Sequence, residues 1–238
     1  MKLNNHFPAR QFCVAALLSL MGTLPAHSQT APDARLLIES AKAGQTVRLP
    51  AGTFAVAEIH VPSGVSVVGA GYQQTILDAR GAANGLVVTG AKNTLTGFTI
   101  RGARETGLKI DGAQGVTLRA VRATGNLTGA VLNRANNARL ENCLLDANRT
   151  GLSLTRCATS VAVNCTVANN TALALGVADA REVAVFNSIL AGSPTGVYLS
   201  RDYGTLTLDH NLVSANVIGK WEGEAPRHIF ESWARLIG

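Results

Sequence analysis

From residue 85 onward, apolar side chains fall at alternate positions in runs of three to five residues. Runs of that length predict short strands with one buried face. The runs themselves recur. Gly85-Leu86-Val87-Val88 returns as Gly107-Leu108-Lys109-Ile110, Gly129-Ala130-Val131-Leu132 and Gly151-Leu152-Ser153-Leu154, at a spacing of 22 residues each time. The pattern continues as Ala172-Leu173-Ala174-Leu175 and Gly196-Val197-Tyr198-Leu199, spaced 21 and 24 residues on. Two further strands follow each Gly-led one, as in Val116/Leu118 and Val121/Ala123, then Leu140 and Cys143/Leu145, then Val161/Val163 and Cys165/Val167. Three strands per repeat with no helix between them describe a coil wound around a core. Stacked coils form parallel sheets with strands about 4.8 Å apart, so equivalent positions make columns.

One such column is Asn126, Asn148 and Asn169, three residues before each leading position. Asparagine tolerates left-handed turns and hydrogen-bonds along a stack, so these three are expected to form a structural ladder. Asn126, Asn148, Asn164 and Asn169 also open Asn-x-Thr triplets, most of which ladder duty explains without sugars. The ends read as caps. Asp33 can start a helix over 33–43 whose Leu36, Leu37 and Ala41 cover the first coil. Regular coils span 85–216. Pro226 can open a terminal helix over 226–237 with Ile229, Phe230, Trp233, Leu236 and Ile237 on one face.

Residues 1–28 stand apart from this pattern. Lys2 and Arg10 precede an apolar stretch from Phe12 to Leu24, and Ala26-His27-Ser28 supplies small residues at a cleavage site. This predicts a secretory signal peptide, with the β-helix domain occupying 29–238 and acting in the periplasm or outside the cell. No later apolar run is long enough for a membrane helix, so no insertion is expected.

Composition narrows the function classes. The 238 residues are 47% hydrophobic, 15% charged and 5% aromatic, with 24 glycines. That excludes disorder and implies a core of small side chains. The formal charge is +6, and the chain has no Lys/Arg run of the kind that grips nucleic acid. An anionic polymer outside the cytoplasm remains compatible, and a monomer is expected. Cys143, Cys157 and Cys165 lack metal-site spacing and read as small buried residues.

The stretches Ala43-Gly44-Gln45-Thr46-Val47-Arg48-Leu49-Pro50-Ala51-Gly52-Thr53-Phe54, Val65-Ser66-Val67-Val68-Gly69-Ala70-Gly71 and Thr75-Ile76-Leu77-Asp78 resemble the opening of the pectate-lyase-like superfamily. The repeat and the ladder agree with it over roughly 33–216. The segment from Asp209-His210-Asn211-Leu212 to Trp233 resembles the closing part of some bacterial members. The resemblance implies a single-stranded, right-handed parallel β-helix and a carbohydrate setting. Many members cleave or epimerise pectin or alginate, and others are non-catalytic surface or assembly proteins.

By the same resemblance, the strand after the Gly-led strand lines a groove. Its outward columns are expected to be Thr94, Thr117, Arg139, Ala162, Ala184, Thr207 and Thr96, Arg119, Glu141, Asn164, Phe186, Asp209. Adjoining turns add Asp111, Arg134, Arg156, Arg201, Asp202 and Tyr203. Arginine binds carboxylates bidentately, so this set could hold a uronic-acid chain. Elimination beside a uronate needs a neutralised carboxylate and a base. Arg119, Arg139 and Glu141 are the catalytic candidates. Asp111, Arg134, Arg156, Asn164, Arg201, Asp202 and Tyr203 are the substrate-binding candidates. The opposing reading is solvated surface charge, with Arg119 and Glu141 a weak ion pair.

No cofactor is evident. Calcium enters through the resemblance alone, because Asp111, Glu141, Asp146 and Asp179 are too scattered to predict a metal site. His60 reads as structural, and His210 beside Asp209 lies nearest the groove strand. The sequence therefore points to an exported β-helix that binds an acidic polysaccharide, with modification of lyase or epimerase type left open. The alternative is a non-catalytic structural or surface-binding protein. The two differ in whether one groove gathers a base and a carboxylate neutraliser.

Overall fold

A computed structural model describes residues 33–200, 204–214 and 219–222. Each coil lays one strand into each of three parallel sheets. Sheet 1 runs from Thr46–Leu49 to Gly204–Asp209, sheet 2 from Gly52–Ala55 to Leu212–Ser214, and sheet 3 from Ile59–Val61 to Gly219–Glu222. The signal segment, the terminal helix over 226–237, and Arg201, Asp202 and Tyr203 lie outside the described residues.

Register follows from the repeat. Thr117, Leu118 and Arg119 pair with Arg139, Leu140 and Glu141 of the next coil. Inward positions thereby stack into columns such as Leu95, Leu118 and Leu140, or Ile110, Leu132 and Leu154, all buried. Each buried aliphatic side chain contributes roughly 1.5–3 kcal/mol, and no coil can bury its core alone.

The corners carry buried polar ladders. Between sheets 2 and 3, the Asn148 Oδ1 accepts from Asn126 N at 3.0 Å, and Asn170 Oδ1 accepts from Asn148 N at 3.0 Å. Ser193 Oγ continues the series by accepting from Asn170 N at 3.2 Å. The third ladder residue is therefore Asn170, and the expectation for Asn169 is corrected. Asn169 has φ 54° and shares its column with Gly125, Ala147 and Gly192, all at positive φ. The left-handed turn and the ladder are adjacent positions with separate duties.

The leading glycines serve this ladder. A Cβ on Gly129 would lie 2.7 Å from Gly151 O and 2.8 Å from Asn148 Nδ2. Gly107 and Gly151 are confined in the same way by Asn126 and Asn170. The next coil departs from the sequence alignment. Thr150 pairs with Leu173 and Leu152 with Leu175, so its leading residue is Ala174, not Ala172. One extra residue is taken up between the ladder and sheet 3. Ala174 is buried where the ladder residue is the smaller Ser193.

A short helix, α1 (Ala34–Glu39), covers the first coil, with the Asp33 carboxylate accepting from Arg35 N and Leu36 N. Ala34 and Ile38 face the core, whereas Leu36 is 67% exposed and Leu37 38%. Ala41 packs against the core as expected, but Leu36 and Leu37 do not, and the helix ends at Glu39, short of the expected residue 43. The three cysteines are free and buried. Their thiols donate to backbone carbonyls, for example Cys157 Sγ to Leu132 O at 3.0 Å. They occupy inner corners in the manner of Ser160 and Ser188. No helix among the described residues is long and apolar enough to cross a membrane.

Candidate functional site

The outward face of sheet 1 gathers three of the sequence candidates. Arg119 and Glu141 are in-register neighbours, and Arg139 precedes Glu141 by two residues on the same strand face. Alternation turns all three outward because Leu118 and Leu140 take the core positions. Arg119 donates to Glu141 Oε2 from Nε at 2.8 Å and from a terminal nitrogen at 2.6 Å. Arg139 Nε donates to the other carboxylate oxygen, Oε1. Hydrogen bonding from Arg139, then from Arg119, holds the Glu141 carboxyl below its ordinary range despite an opposing desolvation effect. A carboxylate so held stays ionised near neutrality and is a weak base, so it is poorly placed for proton transfer. The guanidinium groups keep donors for a ligand, with side chains 58% and 53% exposed.

A second cluster sits where sheet 3 turns into sheet 1. Arg134 donates to Asp111 Oδ1 from a terminal nitrogen at 2.8 Å, and Asn133 Nδ2 donates to the same oxygen at 2.9 Å. Arg156 shares the left-handed corner column of Arg134 and Gly112, and is exposed. Asn133 was missed because its role needs the coil-to-coil register, which pairs it with Asp111.

Two expected groove positions are corrected. Val161 and Val163, not Ala162 and Asn164, continue the columns of Arg139 and Glu141. Ala162 is buried, and Asn164 lies at the exposed left-handed corner between sheets 1 and 2 with φ 53°. Apolar residues at three successive positions gave no parity signal, so the outward pair was unreadable. His60 is an exposed strand residue, with its backbone N–H donating to Glu39 Oε1 at 3.1 Å. His210 is also exposed, its Nδ1 2.9 Å from Asp209 Oδ1.

Calcium needs several convergent oxygen ligands. Among the described residues no three His, Cys, Asp or Glu groups come together. Asp78, Asp111, Glu141 and Asp146 instead each face an arginine. This donor set does not fit the ion.

Comparison with known proteins agrees with the architecture. Pectate lyase Pel9A superposes with a TM-score of 0.64 at 14% identity, covering 74% of this chain and 56% of that one. The A-module of the Azotobacter vinelandii mannuronan C-5 epimerase AlgE4 gives 0.53 at 16% identity, covering 78% and 75%. The Dettilon tailspike protein gives 0.63 at 14% identity, covering 71% and 38%. The chain thus matches 56% of the lyase and 38% of the tailspike. Identities this low establish a shared fold and no shared chemistry. No curated protein matches in direct sequence comparison. A family profile described as "Right handed beta helix region" matches residues 63–219, and on that match the chain belongs to the right-handed β-helix family.

Proposed function

We propose that the protein is an exported carbohydrate-binding β-helix that holds an acidic polysaccharide along the outward face of sheet 1. The observation that carries this reading is the pair of guanidinium groups fixed on adjacent rungs by one carboxylate. Glu141 offsets one of the two charges and orients both side chains, leaving a net cation with free donors directed outward. A uronate carboxylate is a suitable acceptor for such donors. Arg134 and Arg156 extend the cationic character along the neighbouring corner. Neighbours of this fold whose names denote pectate lyase and mannuronan epimerase activity support a carbohydrate partner. The basic, apolar and small-residue order of residues 1–28 supports export.

Binding is favoured over catalysis because the three candidate groups satisfy one another. A lyase needs a base poised near the working pH, and Glu141 is shifted away from it. Calorimetric titration with galacturonate and mannuronate oligosaccharides tests the reading. Arg119→Ala and Arg139→Ala should each weaken binding about tenfold, or about 1.4 kcal/mol. No ultraviolet-absorbing unsaturated product should accumulate. Absence of binding by the natural protein would refute the proposal, and steady product formation would replace it with a lyase.

A further inference from the structure

The outward face of sheet 1 changes character partway along the helix axis. Its lower rungs present Thr117, Arg119, Arg139 and Glu141. The next two present Val161 with Val163 and then Ala184 with Phe186, in register. These four are half-buried and point outward, because Ala162 and Val185 between them fill the core. The corner beside them carries Asp179, Arg181 and Glu182, and the following rung carries Asp209. Among the described residues the upper rungs are thus apolar on the sheet face, with Arg156, Arg181, Asp179, Glu182 and Asp209 mixed around them, whereas the lower rungs carry the paired guanidinium groups on the face itself.

A polymer of uronic acids is charged at every residue. Rungs about 4.8 Å apart approximate the advance of an extended sugar chain per residue. Over Val163 and Phe186 a ligand carboxylate would lose part of its water against apolar side chains, with no guanidinium on that face of the two rungs. A neutral sugar meets the opposite conditions. Its C–H face can lie on the Phe186 ring, and its hydroxyls can reach the exposed amides of Asn164 and Asn187 at the adjoining corner.

We infer that this face selects a heteropolysaccharide in which an acidic residue over Arg119 and Arg139 is followed, two residues on, by a neutral sugar with an apolar face. The inference rests on the binding role proposed above and narrows its substrate class away from uronic-acid homopolymers.

The test compares two probes by calorimetry on the intact protein. One is a galacturonate octasaccharide. The other is a deacylated gellan octasaccharide, in which each glucuronate is followed two residues on by rhamnose. The gellan probe should bind about tenfold more tightly, equivalent to one stacked ring. By weakening gellan binding about tenfold, with galacturonate binding not weakened, Phe186→Ala should abolish that preference. Phe186→Leu, which keeps an apolar side chain should the truncation unfold the coil, should reduce it. Equal or tighter galacturonate binding overturns the inference and leaves the binding role standing, as does a preference that survives both substitutions. A natural protein that binds neither probe overturns the binding role, and the inference with it.

Discussion

Asn148 ties two successive coils together through its side-chain amide. Its Oδ1 accepts from Asn126 N, and its Nδ2 donates to Ala123 O at 2.9 Å and to Asp146 O at 3.0 Å. Asn148→Ala would deprive the buried Asn126 N–H of its acceptor and take one donor from each of two carbonyls. The expected cost is about 2–3 kcal/mol, read as a fall in Tm of several degrees. Asn169→Ala, one position from the same ladder but exposed, should cost under about 1 kcal/mol. Ala147 occupies the corresponding turn at φ 52°, where a Cβ is strained. Ala147→Gly should therefore be neutral to stabilising by up to about 1 kcal/mol, once glycine's greater backbone entropy is offset. Glu141 supplies a pH signature. Its folded-state carboxyl lies below its ordinary 4.5, so its contribution is present above that value. It is lost as pH falls through the lower folded value. Melting curves of Glu141→Gln should thus fall less steeply than those of the natural protein below about pH 4.5.

At the scale of the coil, leading residue and ladder residue vary together. Gly107, Gly129 and Gly151 face Asn126, Asn148 and Asn170, whereas buried Ala174 accompanies Ser193. Gly129→Ala alone should destabilise strongly, because a Cβ 2.7 Å from Gly151 O has no room. Adding Asn148→Ser should recover part of that loss, and denaturant melts of the four species in a double-mutant cycle measure the coupling. The repeat and the glycines were legible in the sequence. The one-residue offset between Asn169 and Asn170 was not, because adjacent asparagines satisfy the same spacing. Coil five was misaligned for a related reason, since Ala172-Leu173-Ala174-Leu175 fits the leading pattern in either of two registers. Hydrogen bonds from Ala172 N and Leu173 N to the single carbonyl of Arg149 mark where the extra residue is absorbed.

Across the whole molecule, the same stacking that buries the core sets charges on neighbouring rungs. Binding through exposed guanidinium groups should weaken several-fold in 1 M salt, where the Debye length is about 3 Å, as titration at two ionic strengths would reveal. The sequence by itself determined the period, the parallel three-strand coil and the small-residue core, because these follow from local alternation repeated at fixed spacing. It also placed Arg119, Arg139 and Glu141 on one face. The tertiary structure decided what those residues do to one another. Register adds the Arg119 guanidinium to the carboxylate that Arg139 meets within its own strand, and only register turns Val161 and Val163 outward where apolar neighbours hid the parity. Periodicity fixes which residues recur; the contacts between coils depend on how each turn takes up its extra or missing residue.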